Sequence, residues 1–412
     1  MTRVCMIAYS KYASDGRIRR EAEALAARGD RVDVVCLEEE GLRTLRELHG
    51  VRLYPVRVRR YQGSQTWRYL LSYAQFFRKA AFLVAVRHLR VRYAVVQVHT
   101  MPDLMVFAAL LPRLMGAAVI LDVHDLMPEL FMSKFRVGRD HPIIRTITRM
   151  ETASVAFAHR AIAVHDTHLE ALVSHGNPRA KFEVVLNAAD PAIFTTRWKQ
   201  PAERSPFKLV YHGTISERHG LELAIRAVAA AQKEIKDLKL SIIGDGDDRK
   251  RLIDLVEELR LQDKVEFREG VPVDQLPALL EDADLGIVPL HVDVFTQYML
   301  PAKLLEYVAL GIPSIVTRTK TTERYFDDKM VEYISGESEV ELAQKIIELH
   351  NDPERRTQMQ ASARLFTIRN AWELQKMRYF HVIDSLVAQG GRTPGIKEDS
   401  EPAQPVGRQA EG

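Results

Sequence analysis

The sequence predicts an α/β protein built as two Rossmann-like, doubly wound domains facing a central cleft. Three observations predict it. Apolar runs bounded by turn residues alternate with helix-period segments through both halves, the signature of successive βαβ units. The alternation pauses once, at a polar, proline-bearing stretch, and then restarts. At 412 residues, 46% hydrophobic and 27% charged, the chain can bury two cores rather than one.

Taken in order, residues 1–195 open with VCMIAY, a helix from about Asp15 to Arg28, and VDVVCL; VRLYPV, AVVQV, AVILDV, AIAV and FEVVL are the later strand candidates. Residues 196–206 read as the interdomain linker. In residues 207–369 the strand candidates are FKLVYHG, LKLSIIGDG, KVEFREG, ADLGIVPL, PSIVT and VEYI. Helices are expected near His219–Ile235, Asp247–Arg260, Pro301–Leu310 and Glu339–His350. A last helix spans 370–388 and is expected to cross back. The tail 389–412 is rich in Gly, Pro and charge, cannot repay its ordering entropy and is expected to be disordered.

Cys5 and Cys36 lie inside apolar runs and read as buried thiols in a reducing compartment. No signal peptide and no run of about 18 apolar residues is evident, so a cytoplasmic location is expected. The net charge of +3 conceals a strong asymmetry: between Leu48 and Pro102 there is no Asp or Glu and there are ten Arg or Lys residues. Within this block Trp67–Val91 mixes aromatic, aliphatic and basic residues. Three readings stand: a helix in an anionic lipid interface, a basic cleft for a phosphorylated substrate, or a core-packed helix with a solvated basic edge. No stacking platform or reading helix accompanies the charge, so nucleic acid is not an expected partner.

In open α/β sheets ligands sit beyond the carboxyl ends of the strands, where helix N-termini favour anions. The segment LPAKLLEYVALGIPSIV, Leu300–Val316, fits such a site: Pro301 opens a helix, Lys303 adds a charge to the first turn, and Glu306 can accept from a ribose diol. Gly213, Gly244 and Gly270 end three strands nearby, with Arg218, His219 and Val271 beside them. In the first half, Asp15 reads equally as a helix cap or a site residue, Gly16 permits close approach, and Arg17 points a cation towards the cleft. His99 and His124 stand at two strand ends, with Asp125 and Glu129 following the second. Asp-x-Asp pairs at Asp245–Asp247 and Asp282–Asp284 fall in a glycine turn and a strand start, so no metal is expected.

The order HGTISERHGLELAI, IIGDGDDRKRL, VEFREGVPVDQLPALL, ADLGIVPL and LPAKLLEYVALGIPSIV resembles the nucleotide-sugar-binding domain of family 4 glycosyltransferases. These have the GT-B architecture, and this chain is similar to bacterial exopolysaccharide, O-antigen and capsule enzymes; the resemblance covers essentially all of the second domain. It implies a retaining hexosyl- or N-acetylhexosaminyltransferase using a nucleoside diphosphate sugar, UDP favoured over GDP. The implied acceptor is a glycan or polyprenyl-diphosphate-linked saccharide, bound by the first domain at the inner face of the cell membrane.

The resemblance further assigns donor binding to Gly213, Arg218, His219, Gly244, Gly270, Val271, Lys303 and Glu306, with backbone donors from Val294–Leu300. It assigns catalysis to His124, Asp125 and Glu129 within an H-D-x-x-P-E pattern, while the strand-end loops of the first half put acceptor binding at Asp15, Gly16, Arg17 and His99. No metal or other cofactor is required in this reading. Three positions depart from the family pattern: Tyr298 replaces an acidic residue, Thr214 an arginine and His219 a lysine, while Pro301, Lys303, Glu306 and Tyr307 match a subgroup motif P-x-K-x-x-E-Y. Two other classes stay open, a nucleotide-sugar 2-epimerase of the same architecture and a catalytically silent nucleotide-sugar-binding module.

Overall fold

The strands β1 (Arg3–Ile7), β2 (Arg31–Leu37), β3 (Glu47–Leu48), β4 (Val51–Val56), β5 (Val95–His99), β6 (Ala118–Val123), β7 (Arg160–Ala163) and β8 (Phe182–Val184) form one sheet in the order β3-β4-β2-β1-β5-β6-β7-β8. Only the short β3–β4 pairing is antiparallel. The strands β9 (Phe207–His212), β10 (Leu238–Ile243), β11 (Val265–Arg268), β12 (Leu285–Val288), β13 (Ser314–Thr317) and β14 (Glu332–Ile334) form a second, all-parallel sheet ordered β11-β10-β9-β12-β13-β14. This computed structural model describes residues 1–390 except 14, 40–46, 59–65 and 196–205. The expected linker, apart from Pro206, and the expected tail from residue 391 lie outside the described residues.

The chain winds outward from β1 through β2 and β4, then reverses to β5. In the second sheet it runs from β9 through β10 and β11 and reverses to β12. Both reversals are topological switch points, where the separating loops leave a crevice at the carboxyl edge.

The period-2 geometry of a strand sorts the first core into two faces. Cys5 and Ile7 of β1 pack with Phe76, Ala80 and Val84 of α2 (Thr66–Val91). Val4 and Met6 turn to the opposite face and pack with Ile18, Ala22 and Leu25 of α1 (Gly16–Ala27). That second face is completed by the last helix, Trp372–Ala388, through Tyr379, Val382, Ile383 and Leu386, so the chain's final helix belongs to the first core. In the second domain Leu209 and Tyr211 face one core and Val210 faces the other, where Leu304 and Tyr307 of the helix Ala302–Leu310 pack. That helix ends at Gly311, which adopts φ 77°, a left-handed cap that favours glycine.

Candidate active site

A cleft of about 540 Å³ opens between the carboxyl edges of the two sheets. Its first-domain wall comes from the β1–α1 loop (Ser10, Asp15, Gly16), from Arg17 and Arg20 of α1, and from His124, Asp125, His165 and His168 after β6 and β7. Tyr298, Pro301, Lys303 and Glu306 supply the second-domain wall. The domains touch across it: Arg19 Nη1 donates to Asp274 Oδ1 at 2.7 Å, the Tyr325 hydroxyl to Asp166 at 2.9 Å, and the Thr167 and Thr321 hydroxyls meet at 2.7 Å.

Arg17 corrects the sequence reading. It touches the cleft, but its guanidinium is turned inward and buried, donating to both oxygens of Asp122 (2.8 and 3.1 Å) and to the Val185 carbonyl at 3.3 Å. Burial opposes ionisation of Asp122, yet Arg17 and His124 outweigh it and hold the carboxyl well below the usual range. Arg17 is therefore a structural ion-pair partner, and a fork saturated in this way has little left for an acceptor. Asp15 serves both readings at once, since it accepts from Ile18 N at 3.2 Å as the cap of α1 and also lines the cleft. Gly16 lines it too, although an added Cβ would meet only Val273 at an ordinary 3.8 Å, so close approach does not demand a glycine there.

His124 stands at the cleft edge with Nε2 turned inward, 3.4 Å from Asp122 and 3.2 Å from His99 Nδ1. Burial works against the charged imidazole, and the charge and hydrogen bond of Asp122 overcome it, so the His124 pKa is raised. His99 is buried behind His124, 3.1 Å from Asp122, and does not reach the cleft; its expected acceptor contact becomes a supporting one. Asp125 lines the cleft and burial raises its pKa.

Glu129 is the second correction. It lies in the first turn of Met127–Phe135 on the side facing the helix Pro142–Phe157, where Oε1 accepts from His175 Nε2 at 2.9 Å and Arg139 Nη2 at 3.4 Å. It is thus separated from His124 and lines a neighbouring groove instead. Glu151 accepts from the other His175 nitrogen at 3.0 Å; burial opposes the charged ring, but the two carboxylates outweigh it and push the His175 pKa up to about 9.

In the second domain Lys303 sits in the first turn after Pro301, buried, with Nζ 4.6 Å from the Tyr211 ring centre. Burial pushes its pKa down to about 8, with Glu306 opposing and Arg218 adding to the shift. Glu306 Oε2 lies 3.0 Å from His212 Nε2. Gly213 and Gly244 crowd together beside Lys303: at φ 146° a Cβ on Gly244 would fall 2.0 Å from the Gly213 carbonyl oxygen, so only glycine fits. Gly270 approaches Gly244 Cα, and Val271 packs on the adjoining core; neither lines the cleft, whereas Val273 does. Arg218 lies in a short turn with its guanidinium 5.4 Å from the Phe295 ring, and its charge reaches Lys303 and Asp125.

His219 is the third correction. It is buried, paired with Ser216 Oγ at 3.0 Å, and burial pushes its pKa down to about 2, so it brings no positive charge to a diphosphate.

Several cleft residues escaped the sequence reading. Arg20 lines the cleft, donates to Asn187 Oδ1 at 2.6 Å and lies 4.6 Å over Trp372; burial and then Arg17 lower its pKa to about 10. A signal was available. Three arginines follow the cap of α1 with no acid in the first turn, against the helix dipole, and such a cluster serves something other than helix stability. His168 lines the cleft, buried, with both ring nitrogens lacking a partner. Among the described residues, His99, Asp122 and His124 group their ligand atoms within 4.8 Å of one another. Both Asp122 oxygens in that group accept from the Arg17 guanidinium.

Two Rossmann-like domains facing each other across a cleft are the GT-B architecture. Residues 16–188 match the Glycosyl transferase 4-like domain and residues 193–366 match Glycosyl transferases group 1, so the two sheets correspond to the two halves of one family. The chain belongs to the family 4, group 1 glycosyltransferases.

WcaL of Escherichia coli strain K12, named as a colanic acid biosynthesis glycosyltransferase, is 29% identical over 158 residues, and that match spans only 38% of either chain. A 2-deoxystreptamine glucosyltransferase of Streptomyces kanamyceticus is 26% identical over 291 residues, 66% of this chain and 74% of that one. For the fold, HepE of Anabaena in complex with UDP superposes with a TM-score of 0.69 at 15% identity, covering 94% of this chain and 100% of that chain. Sucrose-phosphate synthase of Thermosynechococcus elongatus gives 0.75 at 17% identity with the same coverage.

Proposed function

We propose that this protein transfers a sugar from a nucleoside diphosphate sugar, UDP rather than GDP, to a glycan or polyprenyl-diphosphate-linked acceptor in bacterial surface polysaccharide synthesis, with retention at the anomeric carbon. One observation carries the reading: the buried Lys303 at the mouth of a helix N-terminus, with Glu306 one turn on and His124 and Asp125 across the cleft. Lys303, the backbone N–H groups of that turn and the field of Arg218 hold the diphosphate, and Glu306 takes the ribose hydroxyls. HepE bound to UDP and the colanic acid biosynthesis name of WcaL support the choice of nucleotide and pathway class.

In the step, the anomeric C–O bond to the β-phosphate breaks and its electron pair leaves with the diphosphate. The acceptor oxygen attacks from the same face, and its proton passes to a departing phosphate oxygen, so no protein base is needed. The protein supplies charge stabilisation at Lys303 and positioning of the transferred sugar at His124. The proposal includes no essential metal.

The helix α2 supports action at the inner membrane face. It exposes Leu70, Leu71, Phe82 and Leu89 among Arg68, Arg78, Lys79 and Arg90, and the adjoining short helix Leu110–Leu114 adds Leu110, Leu111 and Leu114. Apolar anchors interleaved with bases suit an anionic interface. No helix of the described residues is long and apolar enough to cross a membrane.

A thermal-shift panel of nucleotides and nucleotide sugars tests the donor site. A ligand at one hundred times its Kd adds about 2.7 kcal/mol. Stabilisation by a uridine diphosphate, lost in Lys303→Ala, is the expected result; indifference to every nucleotide would overturn the proposal.

A further inference from the structure

We infer that the groove beside the main cleft is a saccharide subsite for the acceptor; this deepens the transferase reading above and rests on it. The groove has a volume of about 430 Å³ and lies between the two domains, with Glu129, Val137 and Arg139 on one side and Gln297, Tyr298 and Lys320 on the other. Tyr298 lines both this groove and the cleft that holds Lys303 and His124, so a molecule seated in the groove extends towards the reacting centre.

The second observation is Glu129 itself. It is 1% exposed and belongs to the groove wall; Oε1 accepts from His175 and Arg139, and Oε2 is buried with no hydrogen-bond partner. An unsatisfied buried carboxylate oxygen is costly, on the order of 1–3 kcal/mol or more, and a ligand hydroxyl would satisfy it.

The chemistry of the walls selects the ligand class. A sugar ring brings hydroxyl donors and acceptors together with an apolar C–H face. Here a carboxylate oxygen seeking a donor and an exposed guanidinium sit beside the apolar Val137 and the ring of Tyr298. A bare anion fits worse: Glu129 forms part of the wall, and Arg139 and Lys320 already face the carboxylates of Glu129 and Glu170 at 3.4 and 2.9 Å.

This placement also gives Glu129 a different role from the one its spacing after His124 suggested. It meets the acceptor beside the transfer point rather than at it, in company with the second domain's Tyr298.

The test uses full-length protein, labelled UDP-sugars and the membrane fraction of the producing organism as acceptor. KM is read separately for donor and for membrane acceptor in Glu129→Gln, Val137→Trp and Lys320→Ala. Glu129→Gln and Val137→Trp are expected to raise the acceptor KM at least tenfold while the donor KM stays within twofold; Lys320→Ala, half exposed, gives a smaller rise in the same direction. Val137→Trp fills the groove without touching the His175 ion pairs, so it carries the test if Glu129→Gln folds poorly. An unchanged acceptor KM in Val137→Trp, or a parallel loss of donor and acceptor affinity, overturns the subsite. A wild-type protein that binds UDP through Lys303 but transfers to no membrane acceptor overturns the transferase reading and the subsite with it.

Discussion

Replacing Lys303 by Ala separates what this side chain does for a ligand from what it costs the fold. Its ammonium is buried and its pKa falls from an ordinary 10.5 to about 8. Because the folded pKa lies below the unfolded one, the unfolded chain holds more protons between pH 8 and 10.5, and stability rises with pH across that window. Below pH 8 the buried charge costs on the order of 3 kcal/mol. Truncation removes this cost together with roughly 2–3 kcal/mol of buried stem, so the unliganded variant melts within about 3 °C of wild type.

Nucleotide binding behaves differently. A lost charge-assisted hydrogen bond of about 1.5–3 kcal/mol weakens UDP roughly 10- to 150-fold. Since the diphosphate selects protonated Lys303, wild-type binding above pH 8 takes up part of a proton, and affinity declines as pH rises further. Calorimetry in two buffers of different ionisation enthalpy reads that uptake. Absence of uptake, together with unchanged UDP affinity in Lys303→Ala, would refute the reasoning.

Other outcomes follow from the same geometry. His124→Ala should cut turnover about 100-fold or more with UDP affinity within twofold, measured by steady-state kinetics beside calorimetry. Arg17→Met leaves the buried Asp122 with only His99, His124 and Gln97 beside it and should lower the unfolding free energy by about 3 kcal/mol, read as a shift in the urea midpoint. Phe82→Asp, on the exposed face of α2, should reduce co-sedimentation with phosphatidylglycerol vesicles at 0.1 M salt while leaving UDP-induced thermal stabilisation intact.

The fold was legible because parallel sheets buried on both faces read as continuous apolar runs. AVILDV coincides with one strand of the structure and LKLSIIGDG contains another, while VCMIAY and VDVVCL each cover all but the first residue of theirs. The helix Pro353–Arg369 was missed because only Arg356, Met359, Ala363 and Phe366 are buried within an otherwise polar segment. At the site, Lys303, Glu306, His124 and Asp125 were readable from loops that end strands and open helices.

What remained hidden was direction and protonation. Arg17 and Glu129 carry the expected charges on the expected elements, but each turns to a partner distant in sequence, Asp122 and His175. His219 shows the same limit, since a histidine beside Gly220 carries no mark in the sequence that burial will hold it neutral. For Arg20 the arginine cluster after the cap was a usable mark, but its partners Asn187 and Trp372 of the returning helix are contacts that only the folded chain creates.

The most direct test of the central claim is nucleoside diphosphate release from labelled UDP-sugars with and without the membrane acceptor. The account predicts release that rises with added acceptor and appears as label in a glycan with its anomeric configuration kept. Conversion of the UDP-sugar into a different UDP-sugar without acceptor, or no turnover under either condition, would contradict it.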